Sequence, residues 1–514
     1  MKTRTVALLL ILAVGSSVVA DENDWFVPLG LPPKASPRRI SAGEGVPPLP
    51  LPATPLRRTE RKRQPSPATL FGKIMWGETA SFTYPGGGSC AISDWNLCPA
   101  DLQQLLHKAN RKAGLAYRSE PIDLAGFHGD PAKTPVLFFS GTRTLKLSPR
   151  QADMLRAYVL SGGMIVFDSV AGSPYFYNSV KRILADTFPD YALRTIPLDH
   201  PFYHMLYDVT KVKIPQHALA EASPLDQVLS QDVPFMEGLY VGCRIAVLVS
   251  PSGLGCGWDN HAVPLIKQAV YYDVDSASRL GLNLAAYAVG YAGVGREESK
   301  PELFGSLDEN DPTDEFVFAQ IKHAGAWNVH PGGPAALLQR LQHNTSLRVS
   351  LKRVPVRPGK DDLSSYTFLY LSGLDDFHLD PSAVAALRSF LHGAGTLFIN
   401  NGLGLKGFDH TVRRELKQIL PEASLKPLPL SHPLYRCVFA VSQVRYTPAV
   451  MNQAGAVTDP VLEGITLNGD LRVIYSPYDM EAGWQGCEHP LIRGLEPESA
   501  MQLGINIAMY AMTH

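Results

Sequence analysis

The sequence predicts an α/β protein built from two tandem copies of one domain, each with a mainly parallel sheet covered by helices on both faces. Two observations carry this prediction. The first is a repeat. Leu147-Ser148-Pro149, Gly163 and Asp199-His200-Pro201 return as Leu379-Asp380-Pro381, Gly395 and Ser431-His432-Pro433, each 232 positions later. The second is a rhythm: short, wholly apolar runs such as 136–139 and 164–167 alternate with amphipathic stretches of helical length. Such runs suit strands buried on both faces and joined by helical crossovers.

Residues 1–20 have the form of a secretory signal peptide. Lys2 and Arg4 precede an apolar run over 6–14, and Val18-Val19-Ala20 offers small residues before Asp21. The run is short of the ~20 residues a membrane span needs, which predicts cleavage, export to the periplasm or beyond, and no transmembrane segment afterwards. Residues 21–68 hold eleven prolines and end in a basic group, Arg57, Arg58, Arg61, Lys62 and Arg63. This composition predicts a disordered linker. Electrostatic contact of the basic end with anionic envelope polymers is the sharper alternative.

The first repeat spans 69–293. Residues 70–76 form its opening strand, and Gly86-Gly87-Gly88 leads to Trp95-Asn96 and a helix that Pro99 starts. Strand 136–139 follows. Ser148 caps a helix with Pro149 at its first position, with Met154, Leu155, Tyr158 and Val159 on one face and Gly162 ending it. Strand 164–167, a helix from Pro174, strand 245–249 and a helix over 279–291 complete the unit. Residues 294–314 are an acidic linker. The second repeat, 315–514, restates the first: Trp327-Asn328, strand 368–373, a helix capped by Asp380-Pro381, and strand 396–399. The offset then falls to 226, so that Ser250-Pro251 matches Ser476-Pro477 and Gly257-Trp258 matches Gly483-Trp484. The closing Leu280-Gly281-Leu282-Asn283 with Tyr287 returns as Leu503-Gly504-Ile505-Asn506 with Tyr510.

Apolar residues are 45% and charged residues 18% of the chain, as in ordinary globular proteins, and a net charge of −1 argues against broad phosphate contact with nucleic acid. Six cysteines suit an oxidising compartment. Cys90 with Cys98 is the favoured bridge. Cys243 with Cys256 would need the intervening strand's loop to fold straight back, and Cys437 with Cys487 is a third pairing. No Cys/His set has zinc spacing, and no phosphate-binding fingerprint occurs. No cofactor or metal is expected.

Together the Trp-Asn pair, the Gly-rich helix stop before an apolar strand, the Asp/Ser-His-Pro tripeptide, the Ser-Pro…Gly-Trp segment and the final Leu-Gly-x-Asn…Tyr helix resemble the bacterial family called domain of unknown function 4159, in both repeats. The resemblance implies a flavodoxin-like three-layer sandwich akin to class I glutamine amidotransferase-like domains, and no established activity. Such relatives carry a nucleophilic cysteine on the turn after the strand equivalent to 164–167. Here the sequence at that point reads Asp168-Ser169 and Asn400-Asn401, without a cysteine.

Open α/β sheets bind ligands at the carboxyl ends of their strands, so Asp168, Ser169, Asn400 and Asn401 are ligand-binding candidates. Helix capping is the bland alternative for them. Ser250, Trp258, Ser476 and Trp484 would approach the same crevices, although each Trp also suits a core. Asp199, His200 and His432 are further candidates, with a structural His-Pro turn the competing reading; His200 with His204 is a weaker metal alternative. The reading that follows is an exported, non-catalytic binding or scaffolding protein of the bacterial envelope, with an envelope polymer or protein as partner. Its alternative is an envelope amide or ester hydrolase active in the first repeat only, using Ser169, His200 and Asp199.

Overall fold

A computed structural model of the chain describes residues 21–30, 67–127, 129–214, 232–260, 263, 265, 266, 268–299, 305, 315–455, 457–487, 489 and 491–514. The expected signal peptide and most of the two expected linkers lie outside these residues.

The first repeat starts with β1 (Thr69–Met75), and a hairpin of β2 (Thr79–Thr83) and β3 (Ser89–Ser93) follows. Next come α1 (Asp101–Ala113), β4 (Arg118–Asp123), β5 (Val136–Gly141), α2 (Pro149–Leu160), β6 (Met164–Ser169) and α3 (Pro174–Thr187). β7 (Leu193–Thr195), β8 (Glu237–Val241), β9 (Arg244–Ser250), the short α4 (Gly255–Trp258) and α5 (Val274–Gly290) complete it. Its main sheet has the order β4-β1-β5-β6-β9-β8-β7. The pairs from β4 to β9 are parallel, while β8 and β7 add an antiparallel edge. The first four sheet positions follow the flavodoxin-like order, and the antiparallel edge departs from it.

Side chains alternate across this sheet as period-2 geometry demands. Val136 and Phe138 join Leu102, Leu105 and Leu280 on one face, whereas Leu137 and Phe139 join Leu155, Val159 and Val180 on the other. All four of these β5 side chains are 0% exposed, so each contributes on the order of 1.5–3 kcal/mol of burial. The caps are those expected. Ser148 Oγ accepts the Gln151 N–H at 3.3 Å, and the Gln151 side chain accepts the Ser148 N–H at 2.8 Å.

After α6 (Ala292–Glu298) the second repeat has β10 (Glu315–Ile321), α7 (Gly333–Asn344), β11 (Arg348–Val356), β12 (Phe368–Gly373), α8 (Pro381–His392) and β13 (Thr396–Asn401). It continues through α9 (Lys406–Ile419), β14 (Lys426–Pro427), α10 (Pro448–Ala454), β15 (Glu463–Leu467), β16 (Asp470–Ser476), α11 (Glu481–Gln485) and α12 (Pro497–Thr513). Its sheet order, β11-β10-β12-β13-β16-β15-β14, is that of the first repeat strand for strand. Two tandem three-layer α/β domains are therefore present. Among the described residues no helix is long and apolar enough to cross a membrane.

Two expectations need correction, and the Gly-rich loop proves to belong to a hairpin. Gly86-Gly87-Gly88 forms the tip of the β2–β3 hairpin, with Tyr84 and Gly88 paired at 3.0 Å. Residues 21–30 do not behave as a free tether, because Trp25, Phe26 and Leu29 pack into an apolar cluster of the first repeat. No bridge joins Cys90 to Cys98, Cys243 to Cys256 or Cys437 to Cys487. Cys90 Sγ instead lies 3.5 Å from the Tyr84 hydroxyl.

Candidate functional site

The carboxyl ends of the parallel strands hold a buried polar cluster in each repeat. In the first, Lys73 stands inside β1 at 6% exposure. Its Nζ donates to both Asp101 carboxylate oxygens at 2.8 Å, to the Cys98 carbonyl at 2.6 Å and to Asn96 Oδ1 at 3.3 Å. Burial pushes the Asp101 carboxyl up, and Lys73 pulls it back. At the end of β6, Asp168 accepts the Leu254 and Gly255 N–H groups at 2.7 and 2.8 Å. Burial raises its pKa to about 7 against those two bonds.

The second repeat rebuilds this cluster with different residues. Gln320 takes the register position of Lys73, since Lys73 pairs with Phe138 and Gln320 with Tyr370, its counterpart. The cation now comes from β11: Arg353 Nη1 donates to Gln320 Oε1 at 2.8 Å and to Asn328 Oδ1 at 2.9 Å. The Asn of the Trp-Asn pair thus binds a buried cation in both copies. Asn400, in the place of Asp168, accepts the Met480 N–H at 2.8 Å and donates to Asp479 at 3.2 Å. Asp479 also accepts from Leu403 N at 2.8 Å and Ala482 N at 3.0 Å, and it pairs with His330 Nε2 at 2.8 Å. Burial alone would raise the Asp479 carboxyl, but His330 outweighs it and the net shift is downward. Glu481 accepts the Ser372 hydroxyl at 2.8 Å, and burial pushes it up to about 7.

The polar residues singled out in the sequence mostly bond to the chain's own backbone. Asp168 and Asn400 bind the backbone entering α4 and α11 rather than the helix that follows their own strand. Ser169 is fully buried and its Oγ has no hydrogen-bond partner among the described residues. Asn401 closes its own turn through Leu405 N and O, both at 3.0 Å. Ser250 and Ser476 each donate at 2.6 Å to the carbonyl two residues on, in Ser252 and Tyr478. Trp258 and Trp484 are core residues whose indole N–H groups donate to Ala277 and Ala500 carbonyls at 2.7 and 2.9 Å. His200 and His432 use Nδ1 to accept the N–H two residues later, at 3.1 and 3.2 Å. Each imidazole thus braces its own His-Pro turn, with a backbone N–H as partner. His204 binds the Leu198 carbonyl at 2.8 Å and Asp208 at 2.9 Å.

Ser169 and His200 do not meet. Ser169 ends β6 at the carboxyl end of the sheet. His200 packs on Tyr240 and Tyr287, beside the β8–β9 turn at the opposite end. The tight turn itself lies further on than the sequence suggested, because β6 and β13 run through Ser169 and Asn401. Its left-handed residues are Ala171 (φ 55°) and Leu403 (φ 56°), the same position in both copies, and neither carries a nucleophile.

The strand-end faces are covered. Leu97, Ala171 and Cys256 of the first repeat lie under Trp25, Phe26 and Leu29. Their counterparts Val329, Leu403 and Ala482 join the core cluster of the first repeat itself. The two domains thus stack head to tail, the amino end of the first sheet seated on the carboxyl end of the second. Tyr291 stacks on His489 at 4.2 Å, Arg194 pairs with Asp375 at 2.9 Å, and Asp199 accepts the Lys406 N–H that opens α9 at 2.6 Å. Between the repeats a cleft of about 720 Å³ stays open, lined among others by Tyr191, Arg194, Tyr240, Lys322, His323 and Trp327. Tyr240 is 6% exposed and its hydroxyl has no partner among the described residues. Lys322 Nζ sits 5.5 Å from the Trp327 ring centroid.

Sequence reasoning missed Lys73, Asp101, Arg353, His330, Asp479, Glu481 and the cleft. The one available signal was a lysine inside the apolar run of β1. The others become neighbours only through folding.

Fold and site define a tandem α/β protein whose strand-end polar groups are tied to one another and whose tight turns carry no nucleophile. The chain belongs to the family described as domain of unknown function (DUF4159), which matches residues 89–289 and 317–512. A search of curated proteins finds no match.

Proposed function

We propose that this is an exported, non-catalytic binding or scaffolding protein of the cell envelope, and that its ligand sits in the cleft between the repeats. The observation that carries this reading is the cleft itself. It encloses about 720 Å³, and Tyr240, whose buried hydroxyl has no partner among the described residues, lines it beside aromatic and cationic side chains. The strand-end crevices are a poorer choice, since the chain's own residues fill them. A hydrolase built on Ser169, His200 and Asp199 is disfavoured because those groups stand at opposite ends of the sheet, far from the ~3 Å reach such chemistry needs. Kinship with amidotransferase-like domains belongs to this proposal and draws on the flavodoxin-like strand order; it brings no cysteine to either turn.

The test combines fractionation with thermal-shift screening of envelope-derived saccharides and peptides. Secretion, stabilisation by one ligand class, and loss of that shift in Tyr240→Phe or Lys322→Ala are expected. Ester or amide hydrolysis that Ser169→Ala abolishes would overturn the reading, as would retention in the cytoplasm.

A further inference from the structure

In both repeats the loop after the first strand must be held to the turn after the last parallel strand, because these two segments frame the strand-end cluster. The second repeat does this with the buried pair of His330 and Asp479, 2.8 Å apart. In the first repeat, Cys98 stands where His330 does, and Gly253, which has no side chain, stands in place of Asp479. That tie is therefore missing. What faces Cys98 is Cys256, three residues beyond Gly253 on α4. Both thiols are 0% exposed and belong to the same apolar cluster. Backbone packing brings them together: a Cβ at Gly255 would lie 3.4 Å from Cys98 Sγ, and one at Gly253 only 3.0 Å from Cys256 Sγ.

We propose that Cys98 and Cys256 form a disulfide that replaces, in the first repeat, the His–Asp tie of the second. The step is thiol–disulfide exchange with a disulfide-bearing oxidant. One cysteine thiolate attacks the oxidant's disulfide and releases one thiol. The second cysteine then attacks the mixed disulfide and releases the other, so that two protein thiols give up two protons and two electrons to the oxidant. Trp25, Phe26 and Leu29 cover the pair, so the bond forms before residues 21–30 dock and is shielded from reductant afterwards. Cys90 stays outside the bridge, beside Tyr84.

The test is refolding of the full chain with oxidised and reduced glutathione, followed by alkylation and peptide mapping without reduction. A single linked pair of peptides carrying Cys98 and Cys256 is expected. The bridge spans 158 chain positions, so reduction should lower the unfolding midpoint of wild type by on the order of 10 °C. Cys98→Ser should lose that response, and Cys90→Ser should keep it. Recovery of both thiols alkylated after oxidative refolding, or Cys98 linked to Cys90, would overturn the proposal. The mapping on wild type decides the matter even where a variant folds poorly, and it does not depend on export or on the cleft.

Discussion

The charged side chains closest to the centre of each domain work as ties between strands and loops. Lys73 reaches three segments at once, and its pairing with Asp101 is almost wholly removed from water, at 8% and 1% side-chain exposure. Breaking a buried pair from one side strands the other charge and costs about 3–5 kcal/mol, whereas replacing both members by apolar residues costs far less. Lys73→Met should accordingly destabilise the protein by that amount in urea titration, and Lys73→Met with Asp101→Leu should recover much of the loss. A double variant as weak as the single one would show that Lys73 acts mainly through the Cys98 carbonyl and Asn96. The second repeat has moved its cation from the strand next to the edge to the edge strand itself while keeping Asn328 as acceptor. What the fold requires at this point is a buried donor facing Asn, not a particular residue.

At the level of elements, much of the architecture was readable. β5, β6 and β9 announce themselves as apolar runs, and α2 and α8 by Ser-Pro and Asp-Pro caps. β4, with the sequence Arg118-Ser119-Glu120-Pro121-Ile122-Asp123, is an edge strand without alternation and gives no such signal. β7 is only three residues long. The polar candidates at the ends of β6 and β13 were located correctly as strand ends. Their partners, the entrances of α4 and α11, lie 86 and 80 residues away and could not be read from spacing. The turn after β6 makes a further point. Ala171 holds a left-handed conformation that disfavours a side chain, and its position facing Val270 and Gly253 is closely packed. Ala171→Gly should therefore stabilise the protein by less than about 1 kcal/mol, since relief of about 1–2 kcal/mol of left-handed strain is partly offset by chain entropy and a small buried methyl. Leu403→Gly should do the reverse, because Leu403 is 1% exposed and its burial is lost along with the strain. Equal effects at the two sites, measured by thermal unfolding, would refute this account of the turn.

For the whole molecule, acid is the informative variable. Burial lowers His200 to about 3, and His323 and His489 to about 4, and the last two lie at the junction of the repeats. A histidine whose folded pKa is depressed contributes stability above its unfolded pKa of about 6.5, and that stability is lost as pH falls toward the folded value. Asp168 and Glu481, raised to about 7, act in the opposite sense and lose their contribution as pH rises from about 4 to 7. Unfolding midpoints followed from pH 7 to pH 4 should therefore peak between these limits and fall on the acid side. His489→Gln should remove about 2 kcal/mol of the acid loss, allowing for its partial exposure. An unchanged acid slope in that variant would mean that Tyr291 and His489 do not hold the repeats together.

The stacking of one domain on the other joins two unlike faces, and contacts of that kind have no built-in end: copies with both faces available grow into open fibres. Here both terminal faces are blunted. Trp25 and its neighbours occupy the first. The second carries exposed Lys426, Thr466, Asn468 and His514 where the junction of the repeats has Arg194, Tyr240, Gly242 and Tyr291. The outer faces of the two described repeats thus lack the side chains that join them to each other, so head-to-tail addition of a further copy would have to do without those contacts.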